Sequence, residues 1–96
     1  MRTLLWALLD TEKANQSLAD GTMPSILQGA IENLRPEATY FTSAEGKRAC
    51  FLVFDMADPS QLPTITEPFF RLGAKVTVQP VMNLDDLQKG LSQLGR

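Results

Sequence analysis

Residues 48–58, RACFLVFDMAD, decide the fold of this chain, because they hold an unbroken apolar run from Cys50 to Phe54. Turn residues bound the run on both sides, Glu45-Gly46 before it and Asp58-Pro59 after it. An apolar run of this length between turn signals is typical of a strand with two buried faces. We therefore expect residues 48–55 to form a central strand of a sheet and to need cover on both sides.

The segments on either side of this strand supply the other elements of a single domain, residues 1–96. Residues 3–9 form a second apolar strand, residues 38–43 pair with 48–55 as a hairpin, and residues 75–80 alternate as a further strand. Residues 22–34, with Thr22 as the N-cap, and residues 61–72 are predicted helices, whereas 11–19 are either a weak helix or a structured loop. A last helix, capped by Asn83, carries a narrow stripe of leucines, namely Leu84, Leu87, Leu91 and Leu94.

This order, β-α-β-β-α-β followed by a helix, is the ferredoxin-like α+β pattern, an antiparallel sheet with its crossover helices on one face. An antiparallel sheet with one wet face normally alternates polar and apolar residues. Here the two inferred central strands are apolar on both faces, and the uncovered face would expose several hundred Å², at or above what monomers tolerate. We therefore expect a homodimer, sheet against sheet about a two-fold axis, since such dimers are the commonest oligomers.

Composition excludes several classes of function. The net charge is −2 and no basic cluster exceeds Lys47-Arg48, so the positive surface of a nucleic-acid binder is missing. The chain has no histidine and one cysteine, which excludes histidine-dependent catalysis and nearly every zinc site; we expect no metal and no cofactor.

Localisation follows from the same counts. The single Cys50 allows no intrachain disulfide, which is typical of a reducing compartment. Its place inside the apolar run predicts a buried core thiol rather than a nucleophile. The apolar run Leu4–Leu9 is too short for a signal peptide, and no stretch approaches the ~20 residues that span a bilayer. We expect a cytoplasmic protein that does not bind membranes.

Residues 36–55, PEATYFTSAEGKRACFLVFD, and residues 58–87, DPSQLPTITEPFFRLGAKVTVQPVMNLDDL, resemble a set of small uncharacterised bacterial domains with the dimeric α+β barrel fold. The wider superfamily includes muconolactone isomerases, cofactor-independent monooxygenases, haem-degrading enzymes and members with no known activity. The resemblance implies the fold and the dimer, but not an activity, because function depends on sites that differ within a fold. The histidine of the haem-degrading relatives has no counterpart here.

Two aromatic residues and one acid are the main candidates for a ligand site. Trp6 either lines a pocket or fills the dimer interface, and Tyr40 offers a phenol as a hydrogen-bonding group. Asp55 ends the central strand on the face of Phe51 and Val53, where burial would suit it to act as a general base. The alternative is a solvated carboxylate at the strand end. Asp55 and Tyr40 are the weak candidates for catalytic residues.

Arg48 and Glu67 complete the set of candidate ligand-binding residues. Arg48 shares a strand face with Cys50 and either holds an acidic ligand or is a solvated hairpin charge. Glu67, next to Pro68, either points into the fold from a helix kink or is simply exposed.

Three functional hypotheses remain. The first is a homodimer that binds a small organic molecule in an apolar cavity between sheet and helices. The second is a cofactor-independent monooxygenase or isomerase with Asp55 as base and Tyr40 as hydrogen-bond donor. The third is a non-catalytic oligomerisation module whose leucine stripe packs on a partner.

Overall fold

The computed structural model describes residues 1–95 as one four-stranded antiparallel sheet with helices against one side. The elements in chain order are β1 (Arg2–Leu8), α1 (Thr11–Ala19), α2 (Thr22–Leu34), β2 (Ala38–Ala44), β3 (Lys47–Asp55), a 3-10 turn (Pro59–Gln61), α3 (Leu62–Arg71), β4 (Lys75–Pro80) and α4 (Leu84–Ser92). The predicted α+β class and the ferredoxin-like order with a C-terminal helix are confirmed. The dimer stays a prediction.

The strand order is β2-β3-β1-β4, and every neighbouring pair is antiparallel. β1 lies between β3 and β4, so that Leu4 is opposite Val53 on one side and Gln79 on the other. The two strands that are apolar on both faces, β1 and β3, therefore form the centre of the sheet, as their sequences predict.

The helix starts follow local sequence with one exception. The Asp10 carboxylate caps α1, which establishes a helix rather than a loop there. Asn83 and Asp86 form a reciprocal capping box at α4, as predicted. The prediction that Thr22 caps α2 is wrong: Thr22 is the first helical residue, and the preceding Gly21 has φ 80°, a left-handed conformation that glycine adopts without a steric penalty.

The core lies between the sheet and the first three helices. Alternate residues of the central strands point towards the helices, where Leu5 is 0% exposed and Leu52 is 1% exposed. They join one buried cluster with Ala14 of α1, Ala30 of α2 and Phe69 of α3. The helix side of the two central strands is thus covered within the protomer, whereas Phe41 of the edge strand β2, on the same side, is 59% exposed.

The other side of the sheet, which we call the open face, is not covered by α1, α2 or α3. Its apolar and aromatic side chains are Leu4, Trp6, Leu8, Ala38, Tyr40, Ala49, Phe51 and Val53. The polar residues Thr42, Lys75, Thr77 and Gln79 of the two edge strands point to the same side. Leu4, Trp6, Phe51 and Val53 remain partly exposed. The apolar surface that the sequence predicts on this face is therefore present.

α4 projects from the rest of the molecule. The radius of gyration is 15.5 Å and the longest dimension 56 Å, whereas a compact chain of this length has a radius of about 12.5 Å. α4 has no extensive contact with another element in the part of the chain that the structure describes. No helix among residues 1–95 is both long and apolar enough to cross a membrane.

Candidate functional site

The five candidate residues lie in three separate places. Trp6 and Tyr40 share the open face, and Asp55 lies at the end of that face. Arg48 points to the helix side of β3, and Glu67 lies on α3. The structure therefore does not assemble one site from all five.

A row of three aromatic side chains crosses the open face. The register places Tyr40 opposite Phe51 and Phe51 opposite Trp6. The rings of Trp6 and Phe51 are stacked, with centroids 5.7 Å apart and an interplanar angle of 6°. Tyr40, on the edge strand, is 67% exposed. The row presents a flat apolar wall with a phenol at its edge.

The indole N–H of Trp6 is buried and has no hydrogen-bond partner among the described residues. A buried donor without an acceptor costs about 1–3 kcal/mol, and native structures have few of them. An acceptor supplied from outside the protomer, after a small turn of the indole ring, would remove this cost.

Asp55 lacks the environment that the general-base hypothesis requires. Its side chain is 81% exposed, and its carboxylate pairs with the N-terminal ammonium of Met1. Asp55 also lies four residues beyond Phe51 on β3, a distance of about 13 Å at ~3.3 Å per strand residue. Since Tyr40 is opposite Phe51, Asp55 and Tyr40 do not reach one substrate atom within a protomer.

Arg48 and Glu67 both have local partners. The Arg48 guanidinium donates a hydrogen bond to Oδ1 of Asn15 at 3.0 Å across the helix side of the hairpin. The Glu67 carboxylate lies 3.7 Å from the Arg71 guanidinium one turn along α3, and 56% of its side chain is exposed. Their geometry fits the solvated interpretation of each residue.

Among the hollows that the described residues line, three include a candidate residue. Glu67 lines a groove of about 340 Å³ between α2 and α3. A charged cleft of about 720 Å³ lies at the end of the sheet, where the Arg2 guanidinium is 3.1 Å from Glu37 and 3.7 Å from Asp86. The charges of this cleft are therefore already paired with one another.

The third hollow bears on the cavity that the first hypothesis places between sheet and helices. It is a pocket of about 200 Å³ at the end of the helical layer, lined by Leu34, Phe54 and Ile65. Asp55 is the one candidate residue that lines it. Ligand pockets usually measure about 300–1,000 Å³, so this pocket is small for the proposed role.

Cys50 is a core thiol, as predicted. It is 2% exposed, and burial raises its pKa to about 11, with a smaller opposing effect of the hydrogen bond from the Ala7 backbone. Because the thiolate is the nucleophile, Cys50 does not act as one at neutral pH.

Sequence reasoning did not select Phe51, the middle ring of the aromatic row. Strand alternation places it on the face of Asp55, but its stacking on Trp6 depends on the register between β1 and β3.

The comparisons with known proteins identify a family without an assigned activity. The family model described as a domain of unknown function (DUF3303) matches residues 6–95, which include the aromatic row and all of α4. A search of the curated proteins finds no match. The chain therefore belongs to the DUF3303 family of domains of unknown function.

Proposed function

We propose that this chain is a cytoplasmic homodimer whose two open faces enclose a chamber that binds a small aromatic molecule with a carbonyl or carboxylate oxygen. The observation that carries the proposal is the aromatic row on an uncovered sheet face, with an unpaired indole donor inside it. The unpaired thiol of Cys50 supports a reducing compartment.

The apolar side chains of the open face support the dimer. Two sheets that pack face to face lie about 10 Å apart, and their inner side chains interdigitate. On this face large residues alternate with small ones, since Ala38 is opposite Val53 and Ala49 is opposite Leu8. Ala49 is 3% exposed and leaves no room, but Ala38 is partly exposed and leaves room beside the rings, which is the proposed chamber.

The chemistry of the row selects the ligand class. The stacked rings of Trp6 and Phe51 suit a planar aromatic ring. The Tyr40 hydroxyl is an exposed donor for an oxygen acceptor on that ring, and the Trp6 N–H, buried in the free protomer, becomes a second donor if the indole ring turns on binding. The isomerase and monooxygenase hypothesis has less support, because Asp55, its proposed base, lies about 13 Å along the strand from the row.

Trp6 is the one tryptophan of the chain, so its fluorescence reports directly on the proposed site. Benzoate and coumarin, an aromatic acid and an aromatic lactone, are the probes. We expect a saturable change in Trp6 fluorescence with at least one of them. Tyr40→Phe removes only the hydroxyl and should weaken binding by about 2- to 12-fold, the equivalent of 0.5–1.5 kcal/mol for one neutral hydrogen bond.

Phe41→Leu is the matched control, because Phe41 is the next residue of β2 and points to the opposite side of the sheet. It should leave the affinity unchanged. The ligand proposal fails if neither probe gives a saturable change, or if Phe41→Leu and Tyr40→Phe have equal effects. The dimer fails if sedimentation velocity shows a 10.6 kDa species at every concentration.

A further inference from the structure

Four leucines at the C-terminal end of the chain have the spacing of a coiled-coil seam. Three of them lie on α4, which ends at Ser92, whereas Leu94, expected on the same helix, lies in the turn that follows it. Leu84, Leu87, Leu91 and Leu94 are three, four and three residues apart, which corresponds to positions a and d of a heptad repeat. They are 67%, 38%, 53% and 77% exposed. We call these four residues the leucine seam.

α4 needs a packing partner to be stable. It has nine residues, whereas isolated helices shorter than ~12–15 residues are marginal in water. The capping box at Asn83 defines where it starts but covers none of the leucines. The family match extends through residue 95, so α4 is part of the domain rather than an addition to it.

We infer that the α4 helices of two protomers pair in parallel along the leucine seam and extend the interface proposed for the open faces. This inference rests on the proposed dimer. It requires a two-fold axis that runs along the strands, so that both helices leave the dimer at the same end.

The position of α4 supports this pairing. The shortest dimension of the molecule is 19 Å, which is too small for a helix that stands upright on a face of the sheet. α4 therefore continues beyond the end of the sheet. Asp86 lies 3.7 Å from Arg2, whose side chain is on the side of Leu4 and Trp6, and this places the start of α4 on the side of the partner. Packed helix axes are 8–10 Å apart and face-to-face sheets about 10 Å apart, so the two spacings agree.

The area of the seam shows why pairing needs the sheet contact as well. At roughly 100 Å² for a fully exposed leucine side chain, the seam offers about 250 Å² per protomer. A stable interface buries about 800 Å² per partner. The open faces would supply the rest and, by holding the two helices at a high local concentration, would let a short seam pair.

Cysteine cross-linking tests the pairing. In a parallel pair each d position faces its own copy, so Leu87→Cys should form a disulfide-linked dimer under mild oxidation. Ser92→Cys, on the outer side of α4, is the matched control. Both are made in a Cys50→Ala background, which removes the native thiol. We expect cross-linking of Leu87→Cys to be several-fold faster than that of Ser92→Cys.

A second pair of variants tests the seam without a disulfide. Leu91→Asp should raise the dissociation constant of the dimer several-fold, whereas Gln93→Asp, which adds the same charge outside the seam, should not. Three results would overturn the pairing along the seam but leave the proposed dimer intact. The two cysteine variants of a dimeric protein cross-link at the same rate, neither of them cross-links, or Leu91→Asp leaves the dissociation constant unchanged. A wild-type monomer at all concentrations overturns both.

Discussion

Replacement of Phe51 by alanine tests whether the open face is an interface. Within the protomer the change removes the ring stacked on Trp6 at 5.7 Å, a pair that contributes about 0.5–1.5 kcal/mol. At the proposed interface we assign about 1 kcal/mol to the lost ring, a low value for an interface aromatic. A symmetric dimer contains two Phe51 rings, so the variant loses about 2 kcal/mol of association free energy. This loss corresponds to a dissociation constant about 30-fold higher.

Sedimentation velocity over a concentration series measures this constant for the wild type and the variant. Phe41→Ala is the control, because Phe41 is 59% exposed and points to the other side of the sheet. Its dissociation constant should stay within about twofold of the wild type, as expected for a surface substitution. If Phe51→Ala also stays within that range, the ring is not in an interface and the reasoning is refuted.

Three further predictions concern the protomer itself, each measured by urea denaturation. Leu5 is 0% exposed, and Leu5→Ala should lower the free energy of unfolding by about 2–5 kcal/mol. Leu18 is 44% exposed, and Leu18→Ala should lower it far less. Equal losses would contradict the assigned core. Burial raises the pKa of Cys50 from its ordinary value of 9.0 to about 11. As the pH rises, the thiol therefore ionises first in the unfolded chain, and the free energy of unfolding falls between these two values. Cys50→Ala should show a smaller fall, and identical pH profiles would argue against a buried thiol. Gly29→Ala has open space around the new Cβ and should raise the free energy of unfolding by up to about 1 kcal/mol. Gly73→Ala, at φ +75° with a side-chain carbon 2.5 Å from the new Cβ, should lower it by about 1 kcal/mol or more. Changes of the same sign for both would contradict the backbone geometry.

The elements were predictable because each has a local signal. The apolar run of β3 and the alternation of β4 have the period of a strand, and Asn83 with Asp86 has the pattern of a capping box. The order of these elements leads to the sheet topology. Thr22 was assigned wrongly because the left-handed Gly21 takes the position before the helix.

The candidate site was less predictable than the fold. Tyr40 and Asp55 were proposed to act together, although the hairpin turn between their strands already fixes the distance between them. Glu45 and Gly46 form the hairpin loop with φ 54° and 75°, which pairs Ala44 with Lys47 and hence places Tyr40 opposite Phe51. The distance between Tyr40 and Asp55 could therefore be derived from the turn. The location of Glu67, in contrast, depends on how α2 packs on α3, which no local pattern specifies.

The strand order has a consequence for how the chain emerges from the ribosome. β1 is translated before the other three strands, yet it lies at the centre of the sheet, and one of its neighbours is β4, which ends at Pro80. A nascent chain that stops before Lys75 leaves one side of β1 without its strand, with unpaired backbone groups that favour aggregation. Because these pairings join residues far apart in sequence, the sheet is expected to form slowly and is complete only after β4 has been made. Protection of the new chain during translation is therefore most important until β4 has been made.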